Sequence, residues 1–149
     1  MSSTKIIINN ALLIFAGIVG FFLLMKILGL DKVPELRLLN FTFVLWGINN
    51  AIKTNINTNK ESLYFNNFSI GIGTSIVAVG LTIIGLIIYV DFLNPAFIKV
   101  LEDSAFWGQN LSLGLIVFAI AIEGIASSVI CSFILMQYYK NYKPAISNI

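Results

Sequence analysis

Long apolar stretches separated by short polar ones set the pattern of this chain. The uncharged run Ala11 to Met25 predicts a first span over residues 8–28. Residues 36–52 predict a second, interrupted by Asn40, Asn49 and Asn50, and residues 69–90 a third with no charge. Residues 111–137 predict a fourth, with Glu123 its single charge. About 20 residues at a rise of about 1.5 Å cross a hydrocarbon core of about 30 Å, so each stretch reads as a crossing helix. The run Ile83-Ile84-Gly85-Leu86-Ile87-Ile88 is apolar on every side, whereas a barrel strand alternates apolar and polar positions. The expected fold is an all-α integral membrane protein of one domain, residues 1–149, with four transmembrane helices in an antiparallel bundle.

The connections are polar. Residues 29–35 hold Asp31, Lys32 and Pro34, suited to a turn and a helix start. Residues 53–67 are rich in Asn, Thr, Lys and Ser. Between spans three and four, Asn94-Pro95 reads as an N-cap with Pro at the first helical position. Phe97, Leu101 and Ala105 then recur every fourth residue. This predicts a short amphipathic helix over residues 95–107, lying in the interface on Phe97, Phe106 and Trp107 or packed on the bundle. Asn9-Asn10 and Asn49-Asn50 are expected to mark where spans one and two meet headgroups. Tyr138, Tyr139 and Tyr142, with Lys140 and Lys143, read as an aromatic and basic belt.

Composition sharpens this picture. The chain is 58% hydrophobic and 11% charged, where a soluble domain carries about 25% charged residues. Its net charge of +2 lacks the basic surface of a nucleic-acid binder. With no His and Cys131 as the single Cys, disulfide frameworks and His/Cys metal centres are excluded. No cofactor motif is present, and Ser127, Ser128 and Ser132 have no His or Lys in their span to activate them, so no enzyme is expected. With the N-terminus inside, Lys5, Lys53, Lys60, Lys140 and Lys143 fall inside, against Lys26, Lys32, Arg37 and Lys99 outside. That excess predicts both termini in the cytoplasm.

Glu123 is the polar residue hardest to place, because an acidic group at the bilayer centre costs about 2.5–3.5 kcal/mol on insertion scales. It is expected to face the bundle interior, hydrogen-bonded to Thr82, Thr42 or the Trp46 indole, or else to serve as a proton or cation site. Lys26 and Arg37 lie near the outer ends of their spans and can extend toward water. Arg37 and Asn40, continuing through Val44 and Gly47, form one stripe of span two. Ala119, Glu123, Ser127 and Cys131 form one row of span four, and Gly124, Ser128 and Ser132 the adjacent row. Gly71, Gly73, Ser75, Ala78 and Thr82 offer a matching small-residue surface on span three, so these two spans are expected to pack together.

Several blocks carry a resemblance: Arg37-Leu38-Leu39-Asn40; Tyr64-Phe65 with Phe68 and Gly71; Tyr89, Phe92 and Asn94-Pro95; Glu123-Gly124 through Ser127; and Ser132 to Lys140. Together they resemble a family of small four-span membrane proteins, a domain of unknown function common in Bacteroidota. The resemblance implies a bacterial inner-membrane protein and no particular activity. The function expected first is a structural or accessory subunit, in contact with the lipid bilayer and with a membrane-protein partner or further copies of itself. A small transporter or channel using Glu123, and a holin-like pore former, are the alternatives.

Overall fold

The structure is a computed structural model and describes residues 1–30, 33–103 and 112–141, with the side chains of Pro34, Glu35 and Arg37 outside that description. Five α-helices account for most of it: α1 Ser3–Ile27, α2 Asn40–Asn59, α3 Tyr64–Ile88, α4 Phe97–Asp103 and α5 Leu113–Tyr139. A 3-10 segment, Pro34–Leu39, leads into α2, and a π-helical turn, Tyr89–Leu93, ends α3. The fold is all-helical, with no strand among the described residues.

Local sequence sets the ends. Ser2 Oγ accepts the Lys5 N–H and Ser112 Oγ accepts the Leu115 N–H, satisfying amides at the starts of α1 and α5. Lys60 stops α2 in the left-handed region at φ 55°, the one non-glycine residue there among those described. The Asn94 N–H reaches back to Tyr89 O at 2.9 Å, closing the wide turn that ends α3.

Three helical segments are long and apolar enough to cross a membrane: Ser3–Ile27, Tyr64–Leu93 and Leu113–Tyr139. This corrects the expected four. At 20 residues α2 is long enough, but from residue 49 onward it carries Asn49, Asn50, Lys53, Asn55, Asn57 and Asn59, and it falls short in hydropathy. The connection expected over residues 53–67 shrinks accordingly, because α2 runs on to Asn59 and α3 begins at Tyr64.

α2 lies in the bundle, antiparallel to α1: Gly17 lies under the Phe43 ring, Gly47 against Ile14, and Asn50 beside Asn10. α3 packs against α1, α2 and α5. At one end Ile48, Ile52 and Ile56 of α2 meet Cys131, Met136 and Tyr139 of α5. At the other, Val90, Phe97, Leu101 and Ile116 form a second buried cluster. Phe97 and Leu101 thus turn α4 onto the bundle, which decides between the two expected placements and removes Phe97 as an interfacial anchor. α4 begins at Phe97 rather than residue 95, and Phe106 and Trp107 lie outside the described residues.

Candidate functional site

Two polar features stand out. The first is a set of amide bonds at the end of the bundle where α2 stops. Asn50 Nδ2 donates to Asn10 Oδ1 at 2.6 Å, and Asn10 Nδ2 donates to Ile6 O at 2.8 Å. Asn59 Nδ2 donates to Asn55 Oδ1 and Asn55 Nδ2 to Asn67 Oδ1, each at 2.8 Å. The Tyr139 hydroxyl donates to Asn49 Oδ1 at 2.7 Å, bringing in α5. Asn10, Asn55 and Asn67 are buried. These residues therefore bind helices to one another, Asn10, Asn49 and Asn50 among them. An amide in a packed interface is satisfied by another amide more readily than by distant water. Tyr139 likewise turns inward while Tyr138 stays 78% exposed, so the expected tyrosine belt is divided; Tyr142 and Lys143 lie outside the described residues.

The second feature is a cleft of about 150 Å³ where α2 and α5 diverge. Asn40, Phe41 and Val44 line one wall, and Ile120, Glu123, Gly124 and Ser127 the other. Ile14 and Ile18 of α1 and Ser75, Ala78, Val79 and Thr82 of α3 close it from behind. Glu123 sits three residues from Asn-free α5's midpoint (residue 126 of 113–139), on the cleft's rim. It is exposed, not turned into the bundle as expected, and it keeps an interaction of its own within the chain. α2 meets α5 through Ile48, Ile52 and Ile56, and the cleft lies between the Asn40–Val44 stretch of α2 and the stretch of α5 that carries Glu123.

The residues expected to partner Glu123 are placed as follows. Thr82 Oγ1 donates to Ala78 O at 2.8 Å, within its own helix. Trp46 is 54% exposed and Thr42 is exposed, neither of them lining the cleft. Ser127 Oγ donates to the Glu123 backbone carbonyl at 2.6 Å. The side chain of Arg37 is outside the description, so the polar stripe expected on span two is seen from Asn40 onward. Lys26 does not simply extend to water: its Nζ lies 5.0 Å from the centre of the Tyr89 ring. That ring meets Phe22 and Phe97 edge-on, with centroids 5.1 and 5.3 Å away.

The small residues of α3 and α5 sit as follows. Gly71 faces Ser132, whose Oγ would lie 2.9 Å from a methyl added there, and Gly124 faces Val79. Ser75, Ala78 and Ser128 are buried, and Ala119 is half-buried. Gly73 faces Ile7 of α1 rather than α5. Sequence reasoning did not anticipate the links from Asn55 to Asn67 and from Tyr139 to Asn49. The density of Asn after Asn49 is the signal that was available for them. Among the described residues there is no group of three or more metal-ligating side chains.

Compared with known protein families, curated proteins and solved structures, the chain matches none of them. What fold and site define together is a class: an all-helical chain with three helices long and apolar enough to cross a membrane. Within that class its particular features are a polar helix held in the bundle by asparagines and a cleft at the height of a lone acidic residue.

Proposed function

We propose that this protein is an accessory subunit of a membrane assembly, with the outward face of α2 covered by a partner protein. One observation carries this reading. Thr42, Trp46, Lys53 and Asn57 are exposed along one stripe of α2. Apart from Glu123, the exposed residues of α3 and α5 at comparable heights are apolar, such as Ile76, Ile84, Ile125 and Ile130. Trp46 adjoins Gly47, which packs on Ile14 near the middle of α1, so the stripe passes through the central height of the bundle. Hydroxyl and indole N–H groups facing hydrocarbon are costly, and a protein surface offers them acceptors. The resemblance to small membrane proteins of Bacteroidota supports the bacterial inner membrane as its location. The Lys/Arg balance supports both termini in the cytoplasm, which needs α2, antiparallel to α1 within the bundle, to return the chain as a fourth crossing.

Photocrosslinking residues placed at Thr42 and Trp46, with Ile84 as the lipid-facing control, test this in native membranes. The expected result is a discrete protein adduct at 42 and 46 and lipid adducts alone at 84. Lipid adducts alone at all three positions overturn the reading.

A second reading, a proton or cation transporter working through Glu123, is favoured by the placement of that carboxyl on the rim of a cleft at mid-height. Flux through proteoliposomes of the wild type and Glu123→Gln separates the two. Faster cation or proton movement in the wild type supports transport; equal flux, or none in either, removes it.

A further inference from the structure

One end of the bundle gathers positive charge. There α1 and α3 begin and α2 and α5 end, joined by the bond from Asn55 to Asn67 and by that from Gln137 Nε2 to the Tyr64 hydroxyl, 3.3 Å. The described side chains at that end include four exposed lysines, Lys5, Lys53, Lys60 and Lys140, against one carboxylate, Glu61. Glu61 spends its two oxygens on the Leu63 N–H and on Asn66 Nδ2. At the opposite end the described charges are Lys26 and Lys99 against Asp91, Glu102 and Asp103, so the excess changes sign. Lys53 and Lys60 are seven residues, or about two helical turns, apart along the outward face of α2, below Trp46. The Asn50–Asn10 bond sets Lys53 level with Ile7, roughly one turn inside the start of α1 at Ser3. A lysine side chain spans that distance, so its ammonium reaches the level where the crossing helices leave the hydrocarbon.

The apolar surface of the crossing helices starts beside these lysines, and Phe65 and Tyr138, 72% and 78% exposed, stand at the same end. A soluble anion meets the lysines and leaves those rings in water, whereas a phospholipid meets both. The phosphate of a zwitterionic lipid is balanced by its own ammonium, and that of an anionic lipid is not, so the lysines favour the anionic one. We propose that this end of the bundle binds an anionic phospholipid, its phosphate diester held by Lys53 and Lys60 and an acyl chain running up α2 to Trp46. Lys60 also has an interaction within the chain, so Lys53 contributes the larger share. Trp46 lies seven residues above Lys53, about 10 Å, which an acyl chain covers within the roughly 15 Å depth of one leaflet. The proposal goes beyond the partner reading and does not need it, because that reading is drawn from Thr42 and Trp46 higher on the face. Failure of the crosslinking experiment leaves the lipid site standing, and failure of the lipid experiment leaves the partner standing.

Trp46, 54% exposed, is a reporter built into the same face. The test uses the full chain with Trp107→Phe, which leaves Trp46 as its one tryptophan, in nanodiscs of phosphatidylcholine. Phosphatidylglycerol or phosphatidylcholine with brominated acyl chains is added at equal mole fractions, and quenching of Trp46 fluorescence is read. Brominated phosphatidylglycerol is expected to associate about fivefold more strongly than brominated phosphatidylcholine. Lys53→Gln combined with Lys60→Gln is expected to bring the two lipids to parity. Lys99→Gln, at the opposite end, is expected to leave the preference intact. Inorganic phosphate is expected to restore no more fluorescence than chloride at the same ionic strength, which separates a lipid site from a free-phosphate site. Equal quenching by the two lipids, a preference unchanged by the double lysine variant, or displacement by inorganic phosphate overturns the proposal.

Discussion

Asn50 donates to Asn10 across 40 positions of sequence, at 2.6 Å, and fixes the register of α2 on α1. Asn10 in turn donates to Ile6 O, so its side chain acts as acceptor on one helix face and donor within its own helix. Asn10→Leu or Asn50→Leu leaves the other amide, half-buried Asn50 or buried Asn10, without its partner, at an expected loss of about 1 kcal/mol. The double variant is expected to lose less than the two singles together. Reversible unfolding in mixed micelles measures all three, and strict additivity shows that the two amides are uncoupled.

Close approach of α1 and α2 depends on Gly47. A methyl group there would overlap the Ile14 side chain, which is fully buried and has little freedom to move. Gly47→Ala is expected to cost about 1–3 kcal/mol. Gly80, with no atom within 4 Å of an added methyl, is the control. Gly80→Ala is expected to be neutral or to stabilise by about 0.5–1 kcal/mol, because it lowers the flexibility of the unfolded helix. Thermal unfolding in detergent gives both values.

Two adjacent tyrosines should behave differently. Tyr139 is 7% exposed and donates to Asn49, whereas Tyr138 is 78% exposed. Tyr139→Phe removes that donor and is expected to destabilise by about 1 kcal/mol. Tyr138→Phe is expected to leave unfolding unchanged. Comparing the two variants in one unfolding assay checks the assignment, and equal effects contradict it.

The start of α3 is expected to respond to acid. Glu61 Oε2 accepts from Asn66 Nδ2 at 2.8 Å and Oε1 from the Leu63 N–H at 2.9 Å. These bonds hold its carboxyl below the ordinary glutamate value, the Asn66 bond having the largest effect. A lowered folded-state value means that the bonds contribute fully above the ordinary pKa of about 4.3 and fade as pH falls through the lowered value. Protection of the Leu63 backbone amide and the Asn66 side-chain amide, taken relative to the intrinsic exchange rate at each pH, should therefore be greatest at neutral pH and fall in acid, and Glu61→Gln should flatten that dependence.

The lengths of α1, α3 and α5 are readable from sequence because hydrocarbon imposes one rule on all of them: about 20 apolar residues with the backbone bonded to itself. The apolar core of residues 36–52 looks the same to that rule for half its length, from Phe41 to Ile48. What Asn50, Asn55 and Asn59 do was not readable. An amide side chain has no preferred destination until another helix brings Asn10 or Asn67 within 3 Å. Glu123 shows the same limit in reverse. Its rarity marked it out, yet whether it faced inward depended on how the helices around the cleft pack.

By itself the sequence determined that the chain is helical and that most of its surface is apolar, since hydropathy and helical period are local properties. The starts of α1 and α5 are local as well, set by the Ser2 and Ser112 caps, though the hydropathy pattern began those spans at residues 8 and 111. Tertiary structure alone decided that α2 is a polar helix held by asparagines, that α4 folds onto the bundle through Phe97 and Leu101, and that Glu123 lines an open cleft. These depend on which side chains meet across helices far apart in sequence. That is a matter of packing geometry, to which a local hydropathy pattern contributes only the apolar faces.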